Sequence, residues 1–229
     1  MVEAANLQEE VAQLRTRIAL LEDVHAIRTL QFKYGYYMDK CLYDDVVNLY
    51  ADDGEVHFAG GIYRGKAGVR RLYFDRFRKT FADGRNGPIY GFLLEHLQLQ
   101  DIVDVAPDRK TAYGRFRALM QAGSHVTKKG PVVPPGLQQW WEAGVYENTY
   151  VNDRGTWKIK VLDYNLTFHG AYEKGWAYWD RPDMAPATMT YPEDPLGPDA
   201  LIDSPKTWPH TSVVPFHYPH PVTGKPWKG

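Results

Sequence analysis

Residues 90–123 read YGFLLEHLQLQDIVDVAPDRKTAYGRFRALMQAG. Apolar and polar side chains alternate on both sides of APDRK, whose residues favour a turn, so the stretch predicts two long strands joined as an antiparallel hairpin. A second pair follows, because QQWWEAGVYENTYV (138–151) and TWKIKVLDYNLTFH (156–169) flank the turn NDRG. Upstream, EVHF and GIYRG surround AGG as a short hairpin, and GKAGVRRLYFDRFRKTF (65–81) has the length and charge pattern of a helix.

The N-terminal third reads as helical. Leu7, Val11, Leu14, Ile18 and Leu21 recur at the a/d spacing of a coiled-coil seam. That stripe can pair with another copy or dock on the chain's own body. Helical periodicity continues through LEDVHAIRTLQFKYGYYMDK (21–40), and a second helix in YDDVVNLYA (43–51) is expected to stop at DDG. The Pro- and Gly-rich connection from Ser124 to Leu137 is a loop and a candidate lid. From about Gly170 the chain is dense in Pro and has no apolar period, which predicts an extended tail lying on the barrel or on a neighbouring subunit; its aromatic content argues against full disorder. The expected class is α+β. Residues 1–22 form a helix suited to oligomer contact, 23–169 an α+β barrel and 170–229 the tail.

Composition narrows the partners. The chain has 229 residues, of which 27 are Lys or Arg and 28 Asp or Glu, so no broad positive field exists for nucleic acid or an anionic membrane. The N-terminus is charged and no run of about 18 apolar residues occurs, so neither a secretion signal nor a membrane span is expected. The single Cys41 has no partner for an internal disulfide or a cysteine zinc site, which fits a reducing cytoplasm. Aromatic residues make up 14% of the chain, serving either core packing or a pocket for a flat ligand.

Several residues could carry chemistry. Asp39 ends a mostly apolar helical stretch, and Tyr34 lies five residues before it. Period-two alternation puts Phe92, Leu94, His96, Gln98 and Gln100 on one strand face and Glu95 on the other. A histidine moves protons near neutral pH, and a carboxylate accepting its ring N–H would fix its tautomer. Asp39 is the carboxylate expected to do so. Arg115 and Arg117 share a face with apolar neighbours; Arg117 could bind an oxyanion or phenolate, or pair with Glu142. Trp140, Glu142, Gly144, Tyr146 and Asn148 share a face of the third strand, as Leu162, Tyr164, Leu166 and Phe168 do on the fourth. No GxGxxG, Walker, GxSxG or HExxH pattern is present, so no cofactor is expected. His210, His217 and His220 fit surface contacts better than a metal site.

The order of a helix with YxxxxD, a helix ending in YADDGEVHF, GIYRGKAGV, a strand with a central His and a closing DRGTWKI strand resembles the SnoaL-like group of the nuclear transport factor 2-like superfamily, which includes polyketide cyclases, scytalone dehydratase and hexachlorocyclohexane dehydrochlorinase. The resemblance covers about residues 20 to 169. It implies a cone-shaped, curved, mostly antiparallel sheet around a pocket closed by helices. It also places the family's catalytic aspartate on Asp39, its catalytic histidine on His96, and pocket residues on Tyr34, Val56 and Tyr146; strand parity adds Tyr164. Two departures are Gln100, where the family often has Asn, and the tail beyond Gly170.

The tail and the tyrosine-rich pocket are similar to those of bacterial diarylpropane and phenylcoumaran lyases, which release formaldehyde from lignin-derived aromatic dimers. The resemblance implies a cofactor-free lyase acting on a small aromatic substrate, with His96 and Asp39 in catalysis and Tyr34, Tyr146 and Val56 in the pocket; the strand faces add Arg117, which with Tyr34 is expected to assist catalysis, and Trp140 and Tyr164, expected to bind substrate. The a/d stripe of the N-terminal helix suggests a homo-oligomer, dimer or trimer. A dehydratase, cyclase or isomerase acting on a polyketide or steroid-like compound, and a module that only binds a ligand, are the alternatives.

Overall fold

The computed structural model describes residues 2–130, 132, 134, 136–179, 185–203 and 206–227, with side chains from Asn6 onward. One unbroken helix, α1 (Val2–Asp39), opens the chain. It ends where Cys41 turns into the left-handed region (φ 53°) and the N–H of Leu42 bonds the carbonyl of Tyr37 at 2.9 Å. Two more helices follow, α2 (Tyr43–Asn48) and α3 (Gly65–Arg70). The latter runs on through a π-helical stretch, Arg71–Arg78, to a last turn, α4 (Lys79–Phe81).

Seven strands form one sheet: β1 (Tyr50–Phe58), β2 (Gly61–Arg64), β3 (Phe92–Val105), β4 (Thr111–Ser124), β5 (Gln139–Asp153), β6 (Thr156–Ala171) and β7 (Ala200–Leu201), in the order β3-β4-β5-β6-β1-β2-β7. Only β1 and β6 pair in parallel. The sheet is therefore mostly antiparallel, as expected, and it curves without closing. Register shifts bend it between Leu99 and Ile102, between Ala143 and Gly144, and between Thr149 and Tyr150. Gln100 stands at φ 41° in the first of these, so the period-two reading of β3 holds through Gln98 and fails beyond it.

One boundary differs from expectation. Residues 50–54 belong to β1 rather than to a helix stopped by DDG. Tyr50 already pairs with Ile159, and a bulge absorbs Asp52, Asp53 and Gly54 before pairing resumes at Glu55. Gly54 is needed there, because a Cβ would lie 3.0 Å from the carbonyls of Ala51 and Ile159. Lys66 and Lys160 neutralise the bulged Asp52 and Asp53 at 2.7 and 2.6 Å.

Helix α1 is pinned to the sheet by polar bonds as well as by buried Ile27, Tyr34 and Met38. Asp23 accepts bonds from Arg109 (2.5 Å) and the Trp157 indole (2.9 Å). The Gln31 amide oxygen accepts from Asn148 and from the Tyr150 hydroxyl, and its nitrogen donates to Gln98. Buried amides and acids satisfied in this way fix one helix register, because an unpaired member would cost about 1–3 kcal/mol.

The tail beyond Ala171 is mostly irregular. β7 adds to the β2 edge, and Asp199 accepts the Arg64 N–H (2.7 Å) while pairing with Arg71 (2.6 Å). Farther on, Arg115 donates to the carbonyls of Val214 and Pro215, and the His217 imidazole bridges Glu147 and Asp104. Of the candidate lid, residues 131, 133 and 135 lie outside the described residues. Among the described residues no helix is long and apolar enough to cross a membrane.

Candidate active site

The concave face of the sheet, α1, α2 and the π-helical stretch enclose a cavity with about 630 Å³ of empty space, counting its mouth. Its wall comes from alternate residues of adjacent strands. On one row His96 stands opposite Met120, and Met120 opposite Glu142. Two rows on, past Ala118 and Gly144, Phe116 faces Tyr146 and Tyr146 faces Tyr164. Strand spacing puts the backbones of His96 and Glu142 about 10 Å apart, two strands across the wall. The roof is aromatic: Tyr34 and Tyr43 reach in from the N-terminal helices, and Tyr73, Phe77 and Phe81 from the other side. The wider π-helical turn matters here, since Leu72 and Phe77, five residues apart, both line the cavity.

Two polar couples stand in this wall. His96 Nε2 and the Tyr146 hydroxyl are hydrogen-bonded at 2.9 Å, and the Tyr164 hydroxyl donates to Glu142 Oε1 at 2.8 Å. The Tyr146 and Tyr164 rings lie 4.7 Å apart, so the couples are neighbours. A third group is a row of phenols: the Tyr34 ring lies 5.9 Å from that of Tyr146, edge on, the Tyr34 and Tyr73 oxygens lie 3.2 Å apart, and those of Tyr73 and Tyr50 2.9 Å.

Burial sets the protonation of these groups. It lowers the His96 pKa from its ordinary 6.5 to about 4, so the ring is neutral at neutral pH. It likewise raises the pKa of Tyr34 and pushes those of Tyr50, Tyr73, Tyr146 and Tyr164 well above that of a free phenol, so all five remain protonated. His96 Nδ1 is buried and has no hydrogen-bond partner among the described residues. The cavity thus offers a neutral base, a carboxyl group and several neutral hydroxyl donors.

The structure gathers most of the sequence candidates. His96, Tyr34, Tyr146, Tyr164, Trp140 and Val56 all line the cavity. Asp39 and Arg117 do not. The Asp39 carboxylate accepts the backbone N–H of His96 at 2.5 Å, and the imidazole makes no bond to it. β3 is the sheet's edge strand, so alternate N–H groups point away from β4 and need an outside acceptor, which the end of α1 supplies. Asp39 faces a separate surface groove between α1 and β3. Burial raises its pKa and Glu95 adds to the rise, while the His96 N–H and Lys40 oppose it. Arg117 is exposed on the convex face, on the opposite parity to inward-facing Glu142, so the alternative pairing with Glu142 is also ruled out.

Sequence reading passed over Glu142 as a site residue and did not consider Met120. The first shared its strand face with Trp140 and Tyr146, a parity that could have singled it out. Among the described residues no group of three or more His, Cys, Asp or Glu could hold a metal ion. His217, one of the tail histidines, is engaged with two carboxylates on the convex face.

A long helix capping a curved sheet, with an aromatic cavity holding two polar couples, defines an α+β cone protein with an internal small-molecule site. The chain belongs to the SnoaL-like domain family, whose model matches residues 19–163. No curated protein matches the sequence significantly. Among solved structures it is similar to a candidate scytalone dehydratase from Novosphingobium aromaticivorans DSM 12444, at 20% identity over 74% of this chain and 96% of that one, with a TM-score of 0.53. It is also similar to LinA, at 18% identity over 73% and 99% of the two chains and a TM-score of 0.56. At these identities the likeness establishes the cone fold.

Proposed function

We propose that the cavity performs a cofactor-independent elimination on a phenolic aromatic compound, specifically a lignin-derived aromatic dimer that loses a benzylic hydroxyl and then formaldehyde to give a stilbene. The observation that carries this reading is the placement of two polar couples, His96–Tyr146 and Glu142–Tyr164, side by side in a wall otherwise lined by aromatic and aliphatic side chains. The choice of substrate rests on the resemblance of the tyrosine-rich pocket and the tail to the diarylpropane and phenylcoumaran lyases.

In this scheme the substrate phenol lies against the Glu142–Tyr164 couple and gives its proton to the carboxylate. The Tyr146–His96 couple protonates the leaving benzylic hydroxyl, water departs, and a para-quinone methide holds the electrons. The terminal hydroxymethyl group then returns a proton to the same couple. Its carbon–carbon bond breaks, the bonding electrons restore the aromatic ring, Glu142 reprotonates the phenolate, and formaldehyde leaves. Substrate becomes stilbene, water and formaldehyde, so no oxidant enters. Asp39 holds the backbone of His96 and so sets where the ring stands.

The test is incubation with an aromatic diol dimer while formaldehyde is trapped and stilbene absorbance is followed. Equal yields of both are expected; water loss without formaldehyde would assign the site to a dehydratase instead. The bond from Asp39 to the His96 backbone favours a second reading, in which the pocket binds an aromatic ligand without turning it over. Tight binding of the diol, unchanged after prolonged incubation, would establish that reading.

A further inference from the structure

We propose that residues 7–21 of α1 pair with the same residues of a second copy of this chain as a parallel, in-register, two-stranded coiled coil. The stripe predicted from sequence is left bare: Leu7 is 62% exposed, Ile18 55% and Leu21 70%, with Val11 and Leu14 also exposed. The body cannot cover it. Ile18 and Ile27 are nine residues apart, which at about 100° per residue is two and a half turns, so they face opposite ways. Ile27 is fully buried against the body, and neighbouring Asp23 is tied to Arg109 and Trp157. The stripe therefore points away from the chain's own sheet, and two bodies can flank a shared coil.

The residues select the occupant and its orientation. Val11 and Ile18 fall at a, and Leu7, Leu14 and Leu21 at d, the arrangement of β-branched a and leucine d that favours two parallel strands. Glu10 and Arg17 fall at g, and Arg15 and Glu22 at e. In a parallel pair each g residue faces the e residue five positions on in the other copy, so Glu10 meets Arg15 and Arg17 meets Glu22. Both contacts are complementary, and both occur twice. An antiparallel arrangement that covers Leu21 sets Arg15 against Arg15 and Arg17 against Arg17.

Light scattering and sedimentation of the full chain over a concentration series test this directly. A dimer is expected, and Leu14→Asp with Ile18→Asp should shift it to monomer while circular dichroism of the aromatic body is unchanged, since both positions are solvent-exposed. Reversing g (Glu10→Arg with Arg17→Glu) or e (Arg15→Glu with Glu22→Arg) should weaken self-association at least tenfold, and mixing the two variants should restore it. Leu14→Cys should cross-link to itself under oxidation, a reaction open to a parallel coil and undisturbed by buried Cys41. A monomeric native chain, or an oligomer unaffected by the Leu14 and Ile18 changes, would overturn the proposal.

Discussion

Glu142 and Glu147 stand five residues apart on β5 and point to opposite faces of the sheet. Glu147 lies on the convex side. Burial there pushes its pKa up, but hydrogen bonds from His217 and Arg115 more than offset this and hold the carboxyl below its ordinary value. Its ion pairs also clip the tail to the sheet, with the Arg115 guanidinium 4.2 Å from the Phe216 ring centre. Glu142 sits in the cavity, where a neutral phenol, Tyr164, donates to it. The same residue type fastens the tail on one face of the sheet and stands beside a phenol in the cavity wall on the other. The two histidines repeat the pattern, His217 between two carboxylates and His96 in an aromatic wall.

Mutations on the concave face should cost the most. His96→Ala and Glu142→Gln are each expected to lower turnover of the aromatic diol at least a hundredfold without unfolding the chain; loss of under threefold in both would remove the concave face from catalysis. Next comes Gly144→Ala. A Cβ there would lie 2.4 Å from the Tyr164 ring, so the ring must move, and at least a tenfold loss of turnover with about 1–3 kcal/mol of destabilisation is expected by urea unfolding.

The buried imidazole predicts an acid sensitivity. Its folded pKa near 4 lies below the ordinary 6.5, so below 6.5 the unfolded chain binds a proton that the folded chain refuses. Stability should fall as pH drops from 6.5 to 4, by about 3 kcal/mol from this residue, and His96→Leu should flatten that slope. Smaller still is Asp39→Asn. The amide oxygen can accept the same backbone N–H, so turnover should fall less than tenfold, whereas Asp39→Ala leaves the N–H unpaired and costs about 1–3 kcal/mol. A hundredfold loss in Asp39→Asn with normal stability would instead show that its charge reaches the ring. Arg117→Ala, on the convex face, should change turnover by less than twofold and stability by under about 0.5 kcal/mol.

The strands were legible because alternation and turn residues act locally. NDRG and APDRK close the hairpins as read, and the face that Tyr146 shares with Trp140 and Glu142 follows from period two. What escaped was set by tertiary neighbours. Asp52 to Gly54 look like a helix stop, yet pairing with β6 draws them into a bulged strand. The role of Asp39 depends on β3 being an edge with a backbone N–H to satisfy, which no spacing within α1 reveals. Arg117 was placed on the right strand and the wrong face, because alternation divides a strand into two sets without saying which looks inward. The π-helical register that brings both Leu72 and Phe77 to the cavity has no local signature in the sequence.

The bond between Tyr146 and His96 has a directional property. The hydroxyl carries one hydrogen, so with His96 Nε2 bare the bond is filled only when that O–H is aimed at the imidazole. Protonate Nε2 and the bond is already occupied, so the Tyr146 O–H turns away and is free to donate into the cavity. The location of one proton on His96 is thereby written into the direction of a neighbouring hydroxyl, without any heavy atom leaving its place.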